Sequence, residues 1–253
     1  MTQVDLAALA AHLDAFLAVL DIPDGPGSLN GLQVENSGSV TGIVAAVDAC
    51  QATIDGTIAA GANLLLVHHG LFWGDPQPLT GRHYSRVRAL LEADVALYSA
   101  HLPLDCHSEL GNSAVLAREL GLDSIEPFAE YKGIPIGVQG VVHESRDSFV
   151  RRVAQVLGGP PHVVPGGPAH VSKVGIVTGS GGSMLEQARS AGIDTFLTGE
   201  GTHHTHFDAE EWGLNLIFGG HYATETFGVK ALAEHIRQQF GVPWEFFDHP
   251  TGL

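Results

Sequence analysis

Four apolar residues, Leu64-Leu65-Leu66-Val67, follow the turn-forming Gly61-Ala62-Asn63 and run directly into His68-His69-Gly70-Leu71-Phe72-Trp73. No polar residue interrupts the run, so it reads as a strand buried on both faces, as in a parallel sheet covered by helices. In open α/β sheets, ligands gather outside the carboxyl ends of the strands. Here that end carries two imidazoles. Successive side chains on a strand point to opposite faces, so His68 and His69 do not easily grip one ion together. A curling strand end gives each its own ion, and the reading is a two-metal centre. The alternative is a hydrogen-bonded histidine pair capping a core strand.

Two further strand ends decide between these readings. Val95–Ala100 runs into His101-Leu102-Pro103-Leu104-Asp105, and Leu214–Phe218 runs through Gly219-Gly220 into His221-Tyr222-Ala223-Thr224-Glu225. Each places a histidine at a strand end and a carboxylate four residues later. Imidazole with carboxylate is a ligand mixture that first-row divalent metals accept.

Composition bounds the class. The chain has 253 residues, 44% hydrophobic and 16% charged, enough for one large or two modest domains with a sizeable core. Twelve basic residues stand against 28 acidic ones, a formal charge of −16. With no Lys/Arg run, such a chain repels a polyanion, which disfavours non-specific nucleic-acid binding. Cys50 and Cys106 form no C-x-x-C pair and suit a reducing compartment, with Cys106 read as a small buried residue. No secretory signal and no apolar run of membrane-spanning length is present, so the expectation is a soluble, cytoplasmic protein without a membrane partner.

The pattern along the chain predicts an α/β fold of two interlinked lobes, residues 1–126 and 127–253. Leu6, Leu9, Leu13, Phe16, Leu17 and Leu20 share a face, predicting an amphipathic helix over 3–20. Val40–Val47 is a strand and Gln51–Ala60 a helix closed by Gly61. The second lobe repeats this plan: Lys173–Thr178 opens a strand–helix–strand unit that ends in Gly199-Glu200, where the first ended in His68-His69. His101 to Gly121 and His221 to Gly241 are both twenty residues. The register implies an internal pseudo-repeat, with the metal site at strand carboxyl-terminal ends between the lobes. Residues of about 131–170 read as a small β–α–β insert, with strands at Ile134–Val142 and His162–Val164 around the helix Ser148–Leu157.

Other motifs carry two readings each. Asn30 and Gln33 offer amide contacts to a substrate or simply form a turn. Phe72 and Trp73 either wall a pocket or anchor their loop to the core. Gly179-Ser180-Gly181-Gly182-Ser183 stands between strand and helix, where backbone amides can hold an anion, but it lacks the P-loop Lys-Ser/Thr and reads first as a tight turn. His203, His204 and His206 are ligands, proton shuttles or solvated surface residues.

Taken together, Gly31-Leu32-Gln33-Val34, Val67-His68-His69-Gly70, His101–Asp105, Thr198-Gly199-Glu200 and Gly220–Glu225, in this order, resemble the dinuclear-metal-centre hexameric proteins. These are the NGG-interacting-factor-like family, often labelled GTP cyclohydrolase type 2 homologues. The resemblance spans nearly the whole chain. It implies two linked α/β lobes, two divalent metal ions per chain (Fe, Zn, Mn or Mg) and a ring-shaped homohexamer, a trimer of dimers. The family's metal positions fall on His68, His69, Asp105, His221 and Glu225, with His101 beside them as an extra ligand or supporting group.

The expected function is a metal-dependent hydrolase of a nucleotide or purine-type small molecule, with Glu200 and His101 as general base or acid. Phosphoester hydrolysis would use the same two ions. The alternative is a non-catalytic metal-containing ring that binds partner proteins or nucleic acid.

Overall fold

A computed structural model of the protein describes residues 3–253. The fold is α/β, and the chain packs as two compact units. The first comprises residues up to Leu104 together with Gly228–His249; the second comprises Asp105–Phe227 and Pro250–Leu253. The division thus differs from the expected boundary at 126/127. The physical reason lies in the closing strand Trp244–Phe246, which hydrogen-bonds to Ile43–Ala45 of the first unit and brings the end of the chain back to it.

The first unit opens with β1 (Val4–Asp5), α1 (Leu6–Phe16), β2 (Gly31–Val34), β3 (Ser39–Val40), β4 (Ile43–Asp48), α2 (Gln51–Ala59) and β5 (Leu64–His69). It continues with α3 (Gly81–Glu92), β6 (Ala96–Ser99) and α4 (Leu102–Asp105). Asp5 caps α1 by accepting from the amide of Ala8 at 2.8 Å. The helix is shorter than the expected 3–20. Ala18 turns to φ +50, and Leu20 is 96% exposed, so it does not belong to the buried face of Leu6, Leu9 and Leu13.

A five-stranded sheet follows the spatial order closing strand–β4–β5–β6–β2. The closing strand, β4, β5 and β6 are parallel, and β2 runs antiparallel along β6. Parallel alignment brings the carboxyl ends of β4, β5 and β6 to one edge, and those ends carry Asp48, His68–His69 and the residues leading to His101. β5 is buried on both faces, as its sequence requires. Leu65 and Val67 pack with Val44, Ile54, Leu90 and Leu97 in one apolar cluster. Burying each such side chain contributes about 1.5–3 kcal/mol.

The second unit contains α5 (Asn112–Glu119), β7 (Asp123–Tyr131), β8 (Ile134–Ser145), α6 (Arg146–Leu157), β9 (His162–Pro165) and β10 (His170–Val177). After these come α7 (Leu185–Ser190), β11 (Thr195–Thr198), α8 (His203–Trp212), β12 (Asn215–Phe218) and α9 (His221–Thr224). The chain then enters α10 (Thr226–Phe240), which leads to the closing strand, β13. The six-stranded sheet has the order β7–β8–β10–β11–β12–β9, with β10, β11 and β12 parallel.

The strands of residues 131–170 join the main sheet of the second unit. β8 pairs with β10 and β9 with β12, while Phe149 and Val153 of α6 lie in the same buried cluster as Leu116, Ile176 and Leu197. The strands read as an insert because their pattern resembles a free-standing β–α–β unit, but both antiparallel partners belong to the main sheet.

Candidate metal centre

At the carboxyl edge of the first sheet, His68, His69 and His101 form one cluster. A ring nitrogen from each lies within 4.8 Å of the others. The ring centroids are 4.8 Å apart for His68 and His69, and 4.9 Å for His68 and His101. Adjacent strand residues were expected to diverge; instead the two rings converge. Pairing with β6 ends at Val67, while on the other side His69 is still in register with Asp48 of β4, so the end of β5 is held by one neighbour only.

Each imidazole in the cluster is oriented through Nδ1. His68 is fully buried, and its Nδ1 meets the carbonyl of Ala100 at 2.8 Å. A carbonyl oxygen only accepts, so this nitrogen carries the proton and Nε2 offers its lone pair. His69 Nδ1 faces Asp48 Oδ1 at 2.9 Å, and His101 Nδ1 faces Asp24 Oδ1 at 2.8 Å. Histidines that bind metals characteristically have their second nitrogen held by a carboxylate or carbonyl in this way. The three side chains therefore fit a divalent ion both in donor type and in tautomer.

Asp24 and Asp48 have no place among the sequence-derived candidates. Asp24 sits in the Gly/Pro-rich loop and also accepts from Asn30 Nδ2, Gly25 N and Leu102 N, so Asn30 serves as a scaffold. Burial works to raise the Asp24 pKa, but the hydrogen bond and charge of His101, with those of Asn30 and Gly25, hold it down at about 2. Asn30 Oδ1 in turn accepts from the amide of His101 at 2.7 Å. Gln33 braces the strand end as well, since its Oε1 accepts from the amide of Leu71 at 2.8 Å.

Trp73 stands over the cluster. Its ring lies 4.8 Å from that of His101, nearly perpendicular, while its Nε1 donates to the carbonyl of Gly70. Phe72 takes the other role: it packs edge-on against His83 and toward the core.

In the second unit, the acidic partner of His221 is doubled. Its Nε2 lies 3.0 Å from Glu225 Oε2, across one turn of helix, and its Nδ1 lies 2.9 Å from Glu200 Oε1. Glu225 is only 4% exposed. Hydrogen bonding to Glu225 is the largest influence on His221, and it outweighs burial. With the charges of both carboxylates added, the pKa rises to about 9. Glu200 is lowered by hydrogen bonds from Ser180 Oγ and then from His221. Without a metal, this corner holds a proton between two carboxylates; the same atoms suit a divalent cation.

The glycine loop after β10 serves this pair. Gly179 has φ +61, and a Cβ there would lie 2.0 Å from Glu225 Oε1. The amide of Gly179 donates to Thr224 Oγ1, and that of Gly182 donates to the carbonyl of Glu200. With those amides engaged and two carboxylates at hand, the loop is a tight turn supporting acidic groups.

Asp105 ends α4 and accepts from Asn112 Nδ2 at 2.9 Å; the metal-capable groups found among the described residues do not include it. His203 and His204 are exposed on α8, and His206 faces Glu210 at 3.4 Å, so all three belong to the helix surface. No helix among the described residues is long and apolar enough to cross a membrane.

Residues 8–251 match the family described as Duf34/NIF3 (NGG1p interacting factor 3). A Deinococcus radiodurans protein named GTP cyclohydrolase 1 type 2 homolog is 44% identical over 247 residues, spanning 97% of this chain and 93% of the relative. A Halobacterium salinarum protein of the same name is 42% identical over 256 residues, spanning 99% and 100%. The crystal structure of a Thermus thermophilus protein is similar with a TM-score of 0.91 at 44% identity, covering 99% of this chain and 100% of that one.

Proposed function

The chain belongs to the DUF34/NIF3 family, and we propose that it is a metal-dependent hydrolase of a nucleotide or purine-type substrate. The observation that carries this reading is the common orientation of the histidines. His68, His69, His101 and His221 each turn Nδ1 toward a carbonyl or carboxylate acceptor. The proposed ligands are His68, His69, Asp105, His221 and Glu225, with His101 added because its ring belongs to the His68–His69 cluster.

Two divalent ions per chain is the proposed stoichiometry. Imidazole-rich donors favour zinc or iron over manganese and magnesium, which prefer oxygen. Such ions, when bound, supply Lewis acidity and lower the pKa of water toward neutrality. The chain's own groups then orient and exclude. Asp24 and Asp48 fix two imidazoles, Glu200 fixes a third with help from Ser180, and Trp73 shields one side of the histidine cluster from water.

This reading gives Glu200 a positioning role, with proton transfer at its half-exposed carboxylate as a second task. We also propose a homohexamer, which the family resemblance implies and which would cover Tyr84, Leu91 and Phe207, large side chains standing exposed on helices.

Metal analysis of freshly purified protein, followed by turnover assays with GTP and simple phosphoesters, tests the proposal. Stoichiometric metal with metal-dependent hydrolysis is expected. Full metal content without turnover of any substrate would favour the non-catalytic ring.

A further inference from the structure

We propose that a pocket in the first unit, framed by the loop that follows β5, binds the uncharged heteroaromatic ring of the ligand. The pocket has a volume of about 370 Å³ and is lined by Leu29, Leu71, Phe72, Trp73 and His83, with Asp75 at its exposed edge. That volume lies at the low end of small-molecule sites and is enough for a ring system.

His83 makes the pocket more than an apolar hollow. It is 9% exposed, and its Nε2 is buried with no hydrogen-bond partner among the described residues. A buried polar nitrogen left unpaired is unfavourable, so native proteins rarely keep one without a use for it. The aromatic neighbours do not satisfy it: Phe72 presents its ring edge-on at 5.2 Å, and Trp73 has already committed its N–H to Gly70. An incoming ring with one polar edge would satisfy Nε2 once the His83 side chain turns that buried nitrogen toward the pocket, while its faces contact Leu29, Leu71 and Phe72.

The pocket is built into the backbone. Gly27 has φ +70, and a Cβ there would lie 1.9 Å from the carbonyl oxygen of Gly74. Leu29 N donates to the carbonyl of Phe72 at 3.2 Å, so the two loops that frame the pocket are tied together. Its position is informative as well. Trp73 forms one wall, and the same indole packs against His101 and His69 of the metal cluster. Pocket and histidine cluster thus share the Trp73 side chain as a common wall. The carboxylate of Asp75 repels phosphate at the mouth, so the ring, not the charged end, is the part that enters.

The choice of a purine ring rests on the hydrolase reading above, so the test separates the two. Guanosine is titrated calorimetrically into the full chain, as purified and after chelation, and into His83→Phe and Leu29→Trp. The first variant keeps an aromatic ring but removes the nitrogen. The second places a larger group at a position already 57% exposed, where folding tolerates it. Saturable binding with quenching of Trp73 emission is expected in the parent chain, weakened about tenfold or more in both variants, with metal content unchanged. Equal affinity in all three chains, or no saturable binding by the parent, overturns the pocket. Turnover with an unaltered KM in His83→Phe would keep the hydrolase and remove the pocket. Guanosine binding that depends on His83, without turnover of any substrate, would do the reverse.

Discussion

Asp48 and His69 face each other across the parallel pair β4–β5, as register partners whose side chains meet at 2.9 Å. Sheet geometry, not a loop, holds this carboxylate against the imidazole. A histidine held so tightly loses little freedom when it takes up an ion. Asp48→Asn keeps the shape but weakens the acceptor. It should lower metal affinity by about 10–100-fold with the fold intact, read by competition against a chromogenic chelator. Unchanged affinity would reduce Asp48 to a surface ion pair.

Glu225 and Glu200 should separate. Glu225→Gln removes the buried charge beside His221 Nε2 and should lose at least one metal per chain. Glu200→Gln, altering only the group behind Nδ1, should keep the metal and slow turnover. Inductively coupled plasma mass spectrometry with circular dichroism decides it. Full metal content in folded Glu225→Gln would remove that residue from the ligand set.

Acid stability has a marker far from the metal residues. Glu234 accepts from Arg237, Gln238 and Trp244 Nε1, and these hydrogen bonds, Arg237 first, hold its pKa at about 2 against an ordinary 4.5. A carboxyl depressed on folding contributes stability that is fully present above the unfolded value and is lost as pH falls through the folded one. The parent chain should therefore melt above Glu234→Gln at pH 6, and the gap should shrink between pH 4.5 and 2. A gap of equal size at pH 2 would mean that the charge plays no part.

Leu65 tests the core. It lies fully buried in the middle of the first sheet, and Leu65→Ala should destabilise the protein by about 2–5 kcal/mol, read from denaturant unfolding. A loss below 1 kcal/mol would show a core that refills the cavity.

The hexamer is checked by multi-angle light scattering at working concentration. A monomer or dimer mass would remove the ring from the proposal.

What the sequence could disclose followed the range of the forces involved. His68, His69, His101 and His221 were legible because a predominantly apolar run marks a buried strand, and residues at or just past its end lie at the sheet's carboxyl edge. Asp24 and Asp48 were not, because an orienting carboxylate is chosen by tertiary register. The one available signal was an aspartate closing the apolar run Ile43–Val47 beside a histidine-bearing strand. The fate of residues 131–170 depended on which strand edges β8 and β9 would meet, and nothing local specifies that. Leu20 fits the helical period of α1, yet the helix stops before reaching it.

The close approach of Gly179 to Glu225, at a φ of +61, means that a single added carbon forces the acidic corner to rearrange. A methyl group at position 179 would have to displace either the carboxylate or the turn that carries Ser180. The backbone there thus works as a steric fuse: Gly179→Ala should disturb the proposed cation site in this corner while every donor atom stays in the chain, a control that deleting a ligand cannot provide.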